Sequence, residues 1–206
     1  MDALVMCGGR GTRLDWAGEK PLFAIAGEPM VDAVVDALCA SDIDRVHAAV
    51  TPHTPETAAH LADRGVDRVE TPGDGYVADL GVAIEAVGTP VLTVAADLPL
   101  LAPEHVDRVL DAFAAGEGRS VQVCVPAALT RALGASADTT YIREGREVAP
   151  TGLNLVSDDT DDTDDTDDTD DTDDTDDTDT MYLSYDARLA VNVNRLEDAR
   201  LAEALR

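Results

Sequence analysis

The sequence predicts an α/β chain built on a doubly wound, mostly parallel sheet with helices on both faces. Three observations carry that expectation. Short apolar runs at 2–7, 46–50, 66–69 and 90–96 alternate with segments whose apolar residues recur at helical spacing. The run at 90–96 is almost continuously apolar, as a strand covered on both faces requires. Turns rich in glycine or proline mark the changes between the two patterns. A chain of 206 residues is long enough to bury the core of one such domain, and residues 1–206 are read as one.

The elements follow in order. Residues 2–7 read as a buried strand that runs directly into Gly8, Gly9, Arg10, Gly11, Thr12 and Arg13. Residues 29–39 read as a helix, because Val31, Val34, Val35 and Leu38 share one face and Asp32 and Asp36 the other. Residues 46–50 form the next strand. Thr54 or Pro55 opens a helix that ends near Gly65, where the strand 66–69 begins. A helix over 75–87 follows the turn at 72–75, and the strand 90–96 stops at Asp97. Residues 104–115 form a helix with Val106, Val109, Leu110 and Phe113 facing inward. Further strands are expected at 121–125 and 153–156, a short helix at 127–133, a return strand at 191–193 and a closing helix at 196–205.

Residues 158–180 hold 15 Asp and 8 Thr in an Asp-Asp-Thr repeat. The repeat has no apolar residue to bury and its neighbouring carboxylates repel, so it is expected to be a disordered insert. Loop closure costs only about 0.6 kcal/mol per doubling of length, so the fold can carry it. Calcium loops need glycine turns and mixed oxygen ligands that the repeat lacks.

The chain carries 42 acids against 15 bases, a net charge of −27, and it stays acidic when the repeat is set aside. Nucleic acid and membrane are therefore not expected as partners, since phosphate would be repelled everywhere except at a local basic site. Acid-rich usage with a single lysine, Lys20, looks like that of a halophile, whose concentrated salt shortens the Debye length to about 3 Å or less. Cys7, Cys39 and Cys124 lack metal or redox spacing and read as buried thiols. With no signal peptide and no apolar run long enough to span a bilayer, a cytoplasmic protein is expected.

Against that acidity, Arg10, Arg13 and Lys20 cluster just after the first strand, which points to a polyanionic ligand. Glycines after a buried strand free backbone N–H groups to converge on phosphate, although the same glycines also suit a plain tight turn. The spacing is neither that of a Walker loop nor that of a dinucleotide fingerprint. Asp97, at a strand end on the same sheet edge, either caps the following segment or holds Mg²⁺ against substrate phosphates. A carboxylate and a basic cluster around one phosphate chain suit phosphoryl or nucleotidyl transfer, driven by positioning and charge neutralisation.

Residues 4–14 with Glu19, Lys20, Pro21 and Leu22 resemble the signature of the nucleotidyltransferases of sugar phosphates and cofactors, a MobA-like superfamily with a Rossmann-like fold. Asp97-Leu98-Pro99 resembles that group's metal-binding step. The segments 75–80, 150–156 and 190–194 are more narrowly similar to archaeal GTP:adenosylcobinamide-phosphate guanylyltransferases of cobalamin synthesis.

The resemblance implies GTP and adenosylcobinamide phosphate as substrates and Mg²⁺ as cofactor, with a homodimer left open. It implies that Gly8, Gly9 and Gly11, with Thr12, cradle the β- and γ-phosphates. Arg13 and Lys20 would neutralise charge on the α-phosphoryl group and the leaving pyrophosphate. Arg10 either helps them or sits at a solvent-facing tip. Asp97 would bind the metal, with Asn194 either a second ligand or the cap of the last helix. Asp79 would meet guanine or ribose, or is a solvated helix residue; Asn154 would meet the acceptor or a base edge, or is a turn residue. The four histidines fall on different elements and are not needed for this chemistry. A molybdenum-cofactor guanylyltransferase or a cytidylyltransferase is the nearest alternative, and a non-catalytic nucleotide-binding protein the alternative of another class.

Overall fold

In the computed structural model, residues 1–9, 11–116, 119–157 and 180–206 are described. Arg10 and most of the acidic repeat, and with them the expectations placed on both, lie outside the described residues. The central strand is β1 (Asp2–Met6), flanked in parallel by β4 (Arg45–Val50) and β6 (Val91–Ala95). Met6 pairs with both Ala49 and Ala95, so all three strands end at one level. The segments that leave them therefore emerge together along one edge of the sheet, which is where ligands bind on doubly wound folds.

The first strand leads through a small hairpin, β2 (Ala24–Ile25) and β3 (Glu28–Pro29), into α1 (Met30–Cys39). Then come β4, α2 (Pro55–Asp63), β5 (Asp67–Glu70), α3 (Tyr76–Val87), β6 and α4 (Pro103–Ala115). The second half adds β7 (Val121–Pro126), α5 (Ala127–Leu133), β8 (Tyr141–Arg143), β9 (Arg146–Val156), β10 (Thr180–Leu183) and α6 (Leu196–Leu205). Strand order in the main sheet is β10-β7-β9-β6-β1-β4-β5, with β8 paired to β9.

Alternation along β1 sorts the core onto two faces. Ala3, Val5 and Cys7 pack with Val31, Val34, Val35 and Leu38 of α1 and with Val106 and Val109 of α4. Leu4 and Met6 join Ala83, Leu80 and Ile84 of α3 on the other face. A third cluster, including Leu14, Met30, Leu100 and Val193, packs Ala199 and Ala202 of α6 over the edge that carries the loops.

Three expectations are corrected. The predicted strand at 153–156 begins at Arg146, forms the hairpin with β8, and enters the sheet antiparallel between β6 and β7. Residues 191–193 are not a strand; a 3₁₀ turn, Ala187–Ala190, precedes them, and the Val193 N–H donates to the Asp97 carbonyl at 3.0 Å. Cys39 is exposed, since it sits at the end of α1 beyond the buried stripe, while Cys7 and Cys124 are buried. Burial pushes the Cys7 thiol up to about 12, away from reactive thiolate. Among the described residues no helix is long and apolar enough to cross a membrane.

The 3₁₀ turn is fixed by α4. His105 is almost fully buried; its Nδ1 accepts from the Ala102 N–H at 3.1 Å and its Nε2 lies 3.0 Å from Asp186, which caps the turn through the Arg188 N–H. Burial lowers the His105 pKa below 6.5 despite Asp186, so the folded chain holds the ring neutral while the unfolded chain protonates it near that value. Stability is therefore expected to fall as pH drops from 6.5 towards the lower folded value. Urea unfolding midpoints at constant salt, read at several pH values between about 5 and 7, should decline more steeply for the wild type than for His105→Asn. Equal slopes would contradict this.

Candidate active site

The segment after β1 is shaped by close approach. A Cβ on Gly8 would lie 2.5 Å from Thr51 Cγ2, and one on Gly11, whose φ is +60°, would lie 2.6 Å from Lys20 Cβ. Glycine at both positions lets the turn fold back against the Lys20 segment. That segment is anchored by Glu19, whose carboxylate accepts the N–H groups of Glu56 and Thr57 at 2.8 and 2.6 Å, at the N-terminus of α2. The positive end of the helix dipole favours a carboxylate there. Its anchoring holds Lys20, the first residue of the short 3₁₀ turn Lys20–Leu22, over the sheet edge.

Lys20 meets Asp97 there. Its Nζ lies 2.5 Å from Asp97 Oδ2 and donates to Asn194 Oδ1 at 2.9 Å, with side-chain exposures of 15% for Lys20 and 18% for Asp97. The other Asp97 oxygen accepts from Asn192 Nδ2 at 3.1 Å, and Asn192 also donates to the Thr151 carbonyl at 2.9 Å. Asn194 accepts in addition from Arg13 at 3.5 Å, while Arg13 pairs with Asp138 at 2.6 Å. Asn194 is thus not the cap of α6. Asp198 takes that role by reaching back to the Asn194 and Arg195 N–H groups at 3.0 and 2.8 Å, and it also binds the Ser136 backbone and hydroxyl.

Two cavities, each of about 510 Å³, share this cluster. Gly8, Gly9, Lys20, Asp79 and the Gly73–Gly75 turn border the first; Gln122, Thr130, Asn154 and Asn192 border the second; Arg13, Tyr76, Asp97 and Asn194 belong to both. Asp79 is buried rather than solvated, and its Oδ1 accepts from the Gly73 N–H at 2.7 Å, pinning the turn. Asn154 is a strand residue opposite Gln122 and Thr93, and it faces only the second cavity. Gly11 and Thr12 line neither; Gly11 packs on Lys20 and Thr12 is exposed.

The sequence reading missed several groups. Asn192 stands two residues before Asn194, a spacing that puts both on one side of an extended segment. Glu19 and Asp198 carry helix-terminus signals, an acid near a helix start, but the helix that Glu19 serves is distant in sequence. His53 borders the first cavity, while His47, His60 and His105 pair with Asp2, Asp32 and Asp186. Among the described residues no group of three or more His, Cys, Asp or Glu is placed to hold a metal ion. Glu19→Ala is expected to cost about 1 kcal/mol of stability, as lost helix caps do, and to lower turnover by releasing Lys20. Urea unfolding together with a steady-state assay would test both parts.

These features define a two-part cavity lined by glycines, a lysine and a carboxylate at the carboxyl edge of a doubly wound sheet. The sequence model of the MobA-like NTP transferase domain matches residues 3–138, and the chain belongs to that family. It is 34% identical over 118 residues to the adenosylcobinamide-phosphate guanylyltransferase of Methanocaldococcus jannaschii, an alignment covering 55% of this chain and 60% of that protein. It is 31% identical over 127 residues to a Thermococcus kodakarensis protein named "Probable molybdenum cofactor guanylyltransferase", covering 61% and 59%. The matches thus span less than two thirds of either relative. The fold is also that of a CMP:2-keto-3-deoxy-manno-octonic acid synthetase complexed with CTP, at a TM-score of 0.57, 16% identity, and coverage of 76% of this chain and 73% of that one.

Proposed function

We propose that the protein transfers GMP from GTP to adenosylcobinamide phosphate, giving adenosylcobinamide-GDP and pyrophosphate. The observation that carries this reading is the junction of two cavities at Lys20, Asp97 and Asn194, which suits two substrates meeting at one phosphorus. An oxygen of the acceptor phosphate attacks the α-phosphorus of GTP, the new P–O bond forms in line, and the bond to the β-phosphate oxygen breaks. No side-chain nucleophile is needed.

Backbone N–H groups of Gly8 and Gly9 bind the β- and γ-phosphates, with Gly11 and Thr12 shaping the turn behind them. Arg13 and Lys20 neutralise charge on the α-phosphoryl oxygens and the leaving pyrophosphate. Asp79 holds the 73–75 turn where it meets the guanine or ribose, and Asn154 faces the acceptor. Asp97 and Asn194 fit Mg²⁺: a carboxylate and an amide oxygen converge on one cation, the Lys20 ammonium, and hard oxygen donors completed by substrate phosphates are what this metal takes. When bound it would neutralise the triphosphate.

Pyrophosphate release in concentrated salt, measured for GTP and CTP with each acceptor, tests the reading. Turnover is expected with GTP and adenosylcobinamide phosphate, and its absence would end this assignment. The similarity to the Thermococcus protein favours the molybdenum cofactor as the second acceptor to try.

A further inference from the structure

Three buried side-chain atoms lack a partner among the described residues: Thr57 Oγ1, Thr130 Oγ1 and Asn154 Oδ1. The last two border the same cavity, the second one, and Thr130 is only 3% exposed. A buried polar atom without a partner is destabilising, and a ligand that entered the cavity lined by its residue would supply the missing bond.

The chemistry of that ligand can be read from the wall. Gln122, Thr130, Ser136, Asn154 and Asn192 are neutral hydrogen-bonding groups. The charged lining residues are Arg13, Asp97 and Asp138; Arg13 is engaged by Asp138, and Asp97 by Lys20. An anionic group deep in this cavity would meet two carboxylates against one occupied guanidinium. It would also bring only acceptors, which leaves Asn154 Oδ1 unserved. A primary carboxamide brings an N–H for Asn154 Oδ1 and a carbonyl oxygen for the Thr130 hydroxyl.

We propose that Thr130 and Asn154 are specificity determinants that read a primary carboxamide on the acceptor. This rests on the second cavity being the acceptor side of the proposed reaction. A site that hydrogen-bonds such a group rejects analogues lacking it, because its own polar atoms are then left unpaired. A corrinoid bearing peripheral carboxamides fits that requirement, and only its edge need enter a cavity of about 510 Å³.

Two measurements test it separately from the transfer reaction. Crystals of the full chain soaked in acetamide should show that molecule against Thr130 or Asn154, whereas acetate soaked alike should not; an empty site, or equal occupancy by acetate, overturns the proposal. Equilibrium binding of cobinamide, which lacks the reacting phosphate, should weaken about tenfold in each of Thr130→Val and Asn154→Leu. GTP affinity, which reports on folding and on the first cavity, should stay within about twofold. Unchanged cobinamide affinity in both variants, or an equal loss of GTP affinity, overturns it as well. Acetamide bound at Thr130 with no cobinamide affinity in the wild type would support the carboxamide and remove the corrinoid acceptor instead.

Discussion

Lys20→Ala is expected to lower kcat by about 10²–10³-fold, the loss seen when one preorganised donor is taken from a developing negative charge. The side chain is largely shielded, borders the first cavity, bonds Asp97 and Asn194 where the two cavities meet, and is the chain's one lysine. Its position is fixed from two sides, by Glu19 bonded to the N-terminus of α2 and by the close approach of Gly11. Removing one partner of a shielded ion pair also destabilises the other. Here Asp97 keeps its bond from Asn192 and gains water from the cavity, so the variant is expected to fold. Lys20→Arg should recover only part of the rate, because a planar guanidinium cannot take the place of a compact ammonium between Asp97 and Asn194. Rapid-quench measurement of a single turnover, with GTP binding measured alongside, separates a chemical defect from a binding one. An unchanged single-turnover rate would remove Lys20 from the reaction.

Asp97→Asn is expected to do as much damage, with a different signature. The amide keeps the size and one oxygen but loses the charge that pairs with Lys20 and that the proposed divalent cation would need. The rate should fall by about 10²–10³-fold. The Mg²⁺ titration of the residual activity should shift to much higher concentration, since one formal charge has gone from a set whose other protein donor is neutral. Asn194→Ala should move the same titration less. A Mg²⁺ profile identical to that of the wild type would show that Asp97 serves only to hold Lys20.

Much of the first half of the molecule could be read from the residues. Strands buried on both faces are written as apolar runs, and helices such as α1 as apolar residues at three and four, so both survive without any knowledge of tertiary contacts. The glycine turn, Lys20 and Asp97 were legible because each broke a local pattern: glycines where a helix should start, a base in an acidic chain, a carboxylate at the end of an apolar strand. The second half was less so. β9 carries Pro150 and Gly152 within its eleven residues, and its pairing with β6 and β7 lies across long stretches of chain that no local periodicity records. The supporting bonds of Glu19 to α2, of Asn192 to Asp97 and of Asp198 to Ser136 were hidden for the same reason, since each joins residues far apart in sequence. Thr130 gave no signal at all, because a threonine in a short helix looks the same whether its hydroxyl is satisfied or not.

The antiparallel passage of β9 through the sheet ties translation to assembly. β6 and β7 never pair with each other; β9, whose last residue is Val156, joins them, while β1 and β10 take their other edges. A nascent chain on the ribosome therefore carries two naked strand edges until that residue emerges, and a truncated version stopping at residue 138, where the family match ends, keeps them permanently. Open edges of this kind recruit other chains. Such a fragment is expected to pellet on expression while the full chain stays in the supernatant, which makes the last third of the molecule a condition for the first two thirds to persist as a closed fold.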